Sequence, residues 1–330
     1  MKRSRRALSA ELVTIDYDRH SRRQPVSDMQ RLFFYATILS LTICVGGVSA
    51  HETVLETLIG TPITEPEWSD KFRKRLETDL EIARAVMKIA PEREDSHIWL
   101  GRRHGYLTRY GEAIDVFSKG LEQFPDSYKL LRFRGRHLAR NREFDLAIAD
   151  YQRAAELVEH IQDSYEPDGI INARHQYLGS YRSNIHYYLG QTSWAIGDYQ
   201  ATLAGMTRAA SEPLVQHDDR RVATGFWLYL ALRKLDRHEQ AQAVVAAIPE
   251  GLELVENQDY YDGVRFFKGT LSEEELLPRA GLNAKFGVGM VHLFGGRTQK
   301  ADAILRELVA GSSQGYWPAE TELLAPSVSL

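Results

Sequence analysis

Small and bulky apolar side chains recur at a fixed interval through the middle of the chain. The pairs separated by 34 residues are Gly101 and Gly135, Ala113 and Ala147, Phe117 and Tyr151, Gly120 and Ala154, and Pro91 and Pro125. A fixed period of this length is the signature of one helix pair repeated along a solenoid. Small side chains let the two helices of a pair cross closely, and the bulky one fills the groove beside the crossing. The pattern therefore predicts an all-α solenoid of antiparallel helix pairs.

The first two units carry the clearest motif. The stretch "WLGRRHGYLTRYGEAIDVFSKGLEQFP" supplies Leu100, Gly101, Ala113, Phe117, Gly120 and Pro125. The second unit supplies Gly135, Ala147, Tyr151 and Ala154, with Arg134 in the place of the leucine. These residues resemble the tetratricopeptide repeat family, whose units carry Leu-Gly in helix A, small and aromatic residues in helix B, and a closing proline. The resemblance implies that the all-α solenoid is a right-handed superhelix.

Three later segments fit the same template and bring the predicted number of repeats to about five. They carry Leu189, Gly190, Tyr199, Thr202, Met206 and Ala209, then Leu228, Tyr229, Ala241 and Val245, then Val288, Gly289, Ala301 and Leu305. Upstream, an amphipathic stretch that ends at Pro91 predicts an N-terminal capping helix. The predicted layout is a linker at 51–67, the capping helix at 68–91, repeats 1–2 at 94–160, and repeats 3–5 at 183–330.

Two segments interrupt the period. Residues 161–182 contain the turn Glu166-Pro167-Asp168-Gly169 and are predicted to be an insertion, although extension of the two flanking helices is an equally good interpretation. A spacer near residues 250–278 is predicted to hold one extra helix pair. The irregular repeats and this turn also resemble a group of exported bacterial repeat proteins, a likeness that implies no activity.

The first fifty residues differ in composition from the rest. An apolar run at residues 31–50 ends in Val48-Ser49-Ala50, a small-residue pattern typical of signal-peptidase cleavage. We expect Met29 to be the true start, His51 to be the first mature residue, and the bacterial protein to be periplasmic or extracellular. The alternative is an uncleaved inner-membrane anchor formed by residues 32–49.

Composition argues against several chemistries. Cys44 is the only cysteine of the 330 residues and lies in the segment expected to be removed, so thiolate metal sites and cysteine nucleophiles are excluded from the mature chain. The eleven histidines lack ligand spacing, and no phosphate-binding loop or catalytic motif is present. The sequence therefore predicts a protein that is not an enzyme and has neither a cofactor nor a metal site.

The resemblance implies a concave wall lined by helix A side chains. Mapped residue by residue, this wall carries Ile98 together with the candidate ligand-binding residues Arg102, Tyr106, Lys129, Arg132, Arg136, Arg140, Asn184, Tyr187, Gln191 and Trp194. Residues 96–142 hold ten Lys or Arg against four Asp or Glu, although the whole chain has a formal charge of −4. Arginine pairs with carboxylates, and tyrosine and tryptophan bury apolar groups. The alternative is that these arginines only solvate helix surfaces.

The favoured function is a non-enzymatic scaffold or adaptor of the cell envelope that binds an acidic or extended segment of a protein or peptide partner. The acidic balance and expected export argue against a nucleic acid partner. Two alternatives are an accessory subunit of an envelope enzyme complex and a membrane-tethered structural adaptor, which requires the N-terminal segment to be retained.

Overall fold

The computed structural model describes residues 55–325, and this part of the chain consists of α-helices joined by turns and loops. Its only β-structure is two isolated bridges, Glu56 with Pro62 and Tyr165 with Ser180. The fourteen α-helices of these residues are α1 Asp70–Ile89, α2 Glu94–Tyr106, α3 Tyr110–Gln123, α4 Tyr128–Arg140, α5 Phe144–Val158, α6 Tyr181–Ala195, α7 Tyr199–Ser211, α8 Asp218–Lys234, α9 His238–Ala246, α10 Gln258–Lys268, α11 Glu273–Leu276, α12 Leu282–Phe294, α13 Thr298–Ala310 and α14 Trp317–Leu324.

Successive helices pack as adjacent pairs, with short turns between the two members. The pairs are α2/α3, α4/α5, α6/α7, α8/α9 and α12/α13, and each pair also packs on a neighbouring element. The prediction of an all-α solenoid of about five helix pairs is confirmed. Helix α1 packs on α2, while α10 fits between α8 and α12.

Small residues sit where the paired helices cross. Ala113 and Ala147 are completely buried. A Cβ added at Gly190 in α6 would lie 3.0 Å from the backbone oxygen of Thr202 in α7. A larger side chain at these points would push the two helices apart, which explains why the sequence period falls on small residues.

The turn between the two helices of each pair uses the same backbone conformation. One residue in each turn has a positive φ, in the left-handed region that glycine adopts most easily. These residues are Thr108, Arg142, Gly197, Asp236 and Gly296. The shared conformation confirms that the five pairs are one structural unit repeated, even where a residue other than glycine occupies the position.

The largest apolar core lies in the second half of the solenoid. Trp194, Trp227 and Phe286 are buried there, and the rings of Trp194 and Trp227 are 5.6 Å apart. Smaller clusters hold the first repeats together, such as Phe117 stacked on Phe133 at 6.1 Å. Each helix pair therefore buries its apolar face against its neighbours, as expected of a solenoid.

The two ends of the described chain meet. The carboxylate of Glu320 in α14 is completely buried, and its Oε2 accepts hydrogen bonds from Arg142 Nε at 3.0 Å and from the Leu58 amide at 3.0 Å. Gln314 Nε2 donates to the Thr108 hydroxyl at 2.9 Å. These contacts join the C-terminal segment to the turns of the first two pairs, so the solenoid closes around a central cavity.

The predicted signal or anchor segment lies outside the described residues. Within residues 55–325, no helix combines the length and the apolar character needed to cross a bilayer.

Candidate functional site

The concave faces of the helix pairs surround a cavity of about 730 Å³. Its wall is formed by α2, α4, α6 and α8, and it is completed by the insertion between α5 and α6 and by the segment that precedes α14. The arginines that line it are Arg102, Arg132, Arg136, Arg140, Arg142 and Arg220. The carboxylates that line it are Glu166, Asp168 and Glu256. Cationic side chains thus outnumber anionic ones around the cavity.

Helix α4 supplies three of these arginines from one face. Ser127 begins the helix by accepting a hydrogen bond from the Leu130 amide at 3.0 Å. Arg132, Arg136 and Arg140 follow at four-residue intervals, so they lie above one another along the helix. The apolar residues of α4 pack into the helix crossings, and this packing directs the arginines toward the cavity.

The structure places eight of the ten predicted ligand-binding residues on the cavity wall. They are Arg102, Tyr106, Arg132, Arg136, Arg140, Asn184, Tyr187 and Gln191. That they bind a ligand stays a prediction. They do not form one open groove, because the insertion covers part of them.

The other two predicted residues lie elsewhere. Trp194 is 1% exposed and packs among Tyr199, Trp227 and Phe286 in the apolar core, because its position on α6 faces the next helix pair and not the cavity. Lys129 lies outside the lining and pairs with Glu94, with Nζ and Oε2 3.3 Å apart. Ile98, also expected on the wall, is buried in the core of the first two pairs.

One part of the wall is filled by the chain's own insertion. Arg132, which is 1% exposed, pairs with the buried carboxylate of Glu166, with 2.8 Å between Nε and Oε2 and 2.9 Å between Nη2 and Oε1. Arg102 Nη2 donates to the carbonyl oxygen of Pro167 at 2.8 Å. These two arginines therefore have partners already.

The rest of the wall carries arginines without an acid partner. Arg136 lies 5.4 Å from the ring of Tyr188, and no carboxylate of the described residues pairs with it. Arg140 lies 5.6 Å from the ring of Tyr110 and donates to its hydroxyl at 3.4 Å. Both guanidinium groups are half-buried and open to the cavity. They form the open part of the wall.

The pKa values of the neighbouring groups reflect this excess of positive charge. Burial lowers the pKa of Arg140, and the nearby Arg136 lowers it further. Burial alone would raise the pKa of Tyr188, but Arg136 and Arg132 outweigh it, so the pKa of Tyr188 is lowered. A buried phenol whose pKa falls indicates a positive potential, which favours an anion in the cavity.

Several lining residues were missed by sequence reasoning. Tyr188, Arg220, Tyr260 and Tyr316 line the cavity. Tyr188 directly follows the predicted Tyr187. Arg220 lies in the first turn of α8, so extending the predicted wall positions into the fourth repeat would have found it. Tyr260 and Tyr316 belong to segments without the repeat motif, and no local pattern marks them.

Polar atoms without a partner also lie at the wall. Among the described residues, the Tyr151 hydroxyl, Arg102 Nη1 and Arg132 Nη1 are buried and have no hydrogen-bond partner. Burial of such groups without a partner costs about 1–3 kcal/mol each. Residues 55–325 contain no group of three or more side chains placed to hold a metal ion. The wall is suited to binding an anion through guanidinium and phenol groups.

Comparison with solved structures finds helical repeat proteins. YrrB, described as a TPR protein with an unusual peptide-binding site, aligns with a TM-score of 0.42 and 13% identity over 70% of this chain and 92% of its own. Naa15/Naa10 bound to HypK-THB aligns with a TM-score of 0.36 and 16% identity over 72% of this chain and 34% of its own. The Cut9-Hcn1 hetero-tetramer of APC/C aligns with a TM-score of 0.34 and 16% identity over 77% of this chain and 46% of its own.

The fold is tetratricopeptide-like. Because each of these alignments has a TM-score below 0.5, this description rests on the five helix pairs and their common turn. No family model matches the chain, and no curated protein matches it.

Proposed function

We propose that the protein is a non-enzymatic binding scaffold that receives an acidic peptide segment of a protein partner in its central cavity. The observation that carries this proposal is the presence of Arg136 and Arg140 on the open part of the wall without a carboxylate partner in the described chain. Removing a cation even partly from water without a counter-charge is unfavourable. A ligand carboxylate supplies the missing charge through bidentate hydrogen bonds to guanidinium.

The size and lining of the cavity favour a short segment. A volume of about 730 Å³ lies within the range of about 300–1,000 Å³ typical of ligand pockets, and a folded domain does not fit. The rings of Tyr188 and Tyr260 offer apolar surface beside polar hydroxyls. The partner therefore inserts a terminus or a loop, whose acidic groups meet the arginines and whose side chains pack on the tyrosines.

A labelled peptide of four glutamates with a free C-terminus tests this proposal by fluorescence anisotropy. The wild-type protein should bind it, with affinity falling as salt rises, and should bind a four-glutamine peptide far less. Replacing Arg136 or Arg140 by glutamine removes a charged hydrogen-bond donor worth about 1.5–3 kcal/mol, so binding of the glutamate peptide should weaken about tenfold or more.

The matched control is Arg153→Gln. Arg153 is an exposed arginine of α5 that pairs with Asp126 away from the cavity, with 2.7 Å between the two groups. Its loss should leave both binding and melting temperature nearly unchanged. If folded Arg136→Gln bound the glutamate peptide as tightly as wild-type protein, the cavity would not be the binding site.

We also propose that the scaffold acts in the cell envelope. The support is the apolar run at residues 31–50 followed by Val48-Ser49-Ala50. Mass spectrometry of the protein from its native cell should find His51 at the N-terminus. A chain that retains residues 32–49 would support the membrane-tethered alternative.

A further inference from the structure

The insertion places an acidic turn of the chain into the binding cavity. Residues 166–169 lie against α2 and α4, and their contacts resemble those that a bound peptide would make. Arg132 holds the carboxylate of Glu166, and Arg102 and Arg103 donate to the carbonyl groups of Pro167 and Gly169 at 2.8 and 3.0 Å. Arginine side chains thus hold both the charge and the backbone of this turn.

The fit between the turn and the wall is close. A Cβ added at Gly169 would lie 1.6 Å from the Tyr106 hydroxyl, so the tyrosine side chain would have to move to admit a larger residue. Glu166 is 6% exposed although it is charged. The turn therefore packs at a defined position on the wall of the cavity.

The turn nevertheless leaves some of the hydrogen-bond donors around it without an acceptor. Arg102 Nη1 and Arg132 Nη1 are buried without an acceptor among the described residues. Burial raises the pKa of Asp168, and the like charges of Glu256 and Glu166 raise it further, against the opposing effect of Arg102. A peptide with carboxylates at both arginines would supply the hydrogen-bond acceptors that the turn lacks. It would also avoid placing a carboxylate, as Asp168 does, beside other carboxylates.

The turn is also held by a segment that buries little apolar surface. Residues 159–180 between α5 and α6 contain no helix, and they are tied together mainly by the bridge between Tyr165 and Ser180. Ile170, Ile171 and Tyr177 are exposed by 43%, 57% and 56%. Withdrawal of the turn therefore exposes little additional apolar surface. Its main cost is loss of the buried pair between Arg132 and Glu166, and a peptide carboxylate that replaces Glu166 offsets that loss.

We propose that Arg102 and Arg132 form a second carboxylate-binding subsite, which the chain's own turn at residues 166–169 fills in the free protein and which an acidic peptide takes over. This inference rests on the function proposed above. The turn acts as an internal competitor, so it lowers affinity for weakly acidic segments and selects partners with several closely spaced carboxylates.

Hydrogen exchange of the wild-type protein tests the displacement directly. The Glu166 amide donates to the Gly179 carbonyl at 2.9 Å, and the Tyr181 amide donates to the Ser164 carbonyl at 3.0 Å. When the four-glutamate peptide saturates the protein, peptic fragments covering residues 163–181 should exchange faster. Fragments from α13 should not change.

A variant supplies the second readout. Glu166→Gln weakens the internal competitor and should bind the four-glutamate peptide about tenfold more tightly than wild type. Glu159→Gln is the matched control, because Glu159 pairs with Arg208 on the exterior, with 2.7 Å between the groups, and its loss should leave affinity unchanged.

The outcomes separate this inference from the proposed function. If the wild-type protein does not bind the glutamate peptide, the proposed function fails and this inference fails with it. If the peptide binds while residues 163–181 exchange no faster, the turn stays seated and the second subsite is overturned, although the scaffold function stands. Should Glu166→Gln fail to fold, the exchange result on the wild-type protein decides alone.

Discussion

Neighbouring arginines of α4 have different roles, according to where their counter-charge lies. Arg132 is 1% exposed and pairs with Glu166. Arg136, one helical turn later, faces the open part of the cavity without a carboxylate of the described chain. Removing one partner of a buried pair is destabilising, whereas a partly open arginine is available to a ligand. The ligand-binding variants proposed above therefore change Arg136 and Arg140 and leave Arg132 intact.

Buried histidines give stability a defined pH dependence at the residue scale. Burial, together with the positive charge of Arg208, lowers the pKa of His186 to about 4. In the unfolded chain the pKa is about 6.5, so below that value the unfolded state binds more protons than the folded state. The stabilisation is present above pH 6.5 and is lost progressively as pH falls toward 4, with about 2 kcal/mol lost at pH 5.

Urea unfolding of wild type and His186→Asn at pH 7 and pH 5 measures this effect. Wild type should lose more stability than the variant between the two pH values. Parallel losses in both proteins would show that the imidazole of His186 is not titrating in this window.

The sequence located most of the wall because the repeat phase fixes which helix residues point inward. Gln191 and Arg136 were placed correctly on this basis. Trp194 was misplaced because α6 turns its last residues toward the core, where Trp227 stands. The role of Glu166 as an occupant of the wall depends on how the insertion folds back, and no helical or strand period in the sequence encodes that path.

At the scale of helices, the helix crossings explain why the period is visible in the sequence at all. Ala209 in α7 is completely buried, and its carbonyl accepts a hydrogen bond from the Ser183 hydroxyl of α6 at 3.0 Å. A close approach of this kind restricts the residue to a small side chain. Small residues therefore recur at the crossings of successive repeats, although most other positions of the repeats differ. The insertion at residues 159–180 contains no helix and so no crossing, and its path could not be predicted from the sequence.

Replacing Ala209 by leucine should destabilise the protein by about 1–3 kcal/mol, because overpacking forces α6 and α7 apart. Ala204 lies on the exposed side of the same helix. Ala204→Leu therefore makes the same substitution without a crossing, and its unfolding midpoint should match wild type. Similar midpoints for the two variants in denaturant unfolding would mean that the crossing has been assigned to the wrong residue.

At the largest scale, contacts between the two ends of residues 55–325 close the solenoid around the cavity. The buried pair of Arg142 and Glu320 joins residues 178 positions apart. The amide of Thr64 also donates to the Ser313 carbonyl at 2.7 Å. Contacts over such distances leave no periodic signal, so the sequence predicted a concave groove and missed the segment before α14 that helps to line the cavity.

Glu320→Gln should cost about 3 kcal/mol or more in unfolding free energy, because it leaves the buried Arg142 without its counter-charge. Asp302→Asn removes a carboxylate from an exposed pair with Arg306, whose side chains are about half exposed, and should cost about 1 kcal/mol or less. Denaturant unfolding compares the two variants. Equal costs would mean that the ends of the solenoid are not held together by this pair.

The central claim is that acidic segments enter the cavity, and photo-crosslinking measures this most directly. A four-glutamate peptide carrying a benzophenone amino acid would be irradiated with the wild-type protein, and the adducts would be mapped by mass spectrometry. If the peptide enters the cavity, adducts should form at cavity residues such as Tyr188, Gln191 and Tyr260 and should be lost in the Arg136→Gln variant. Adducts confined to outer surfaces such as α5 or α13, with the cavity residues unlabelled, would contradict it.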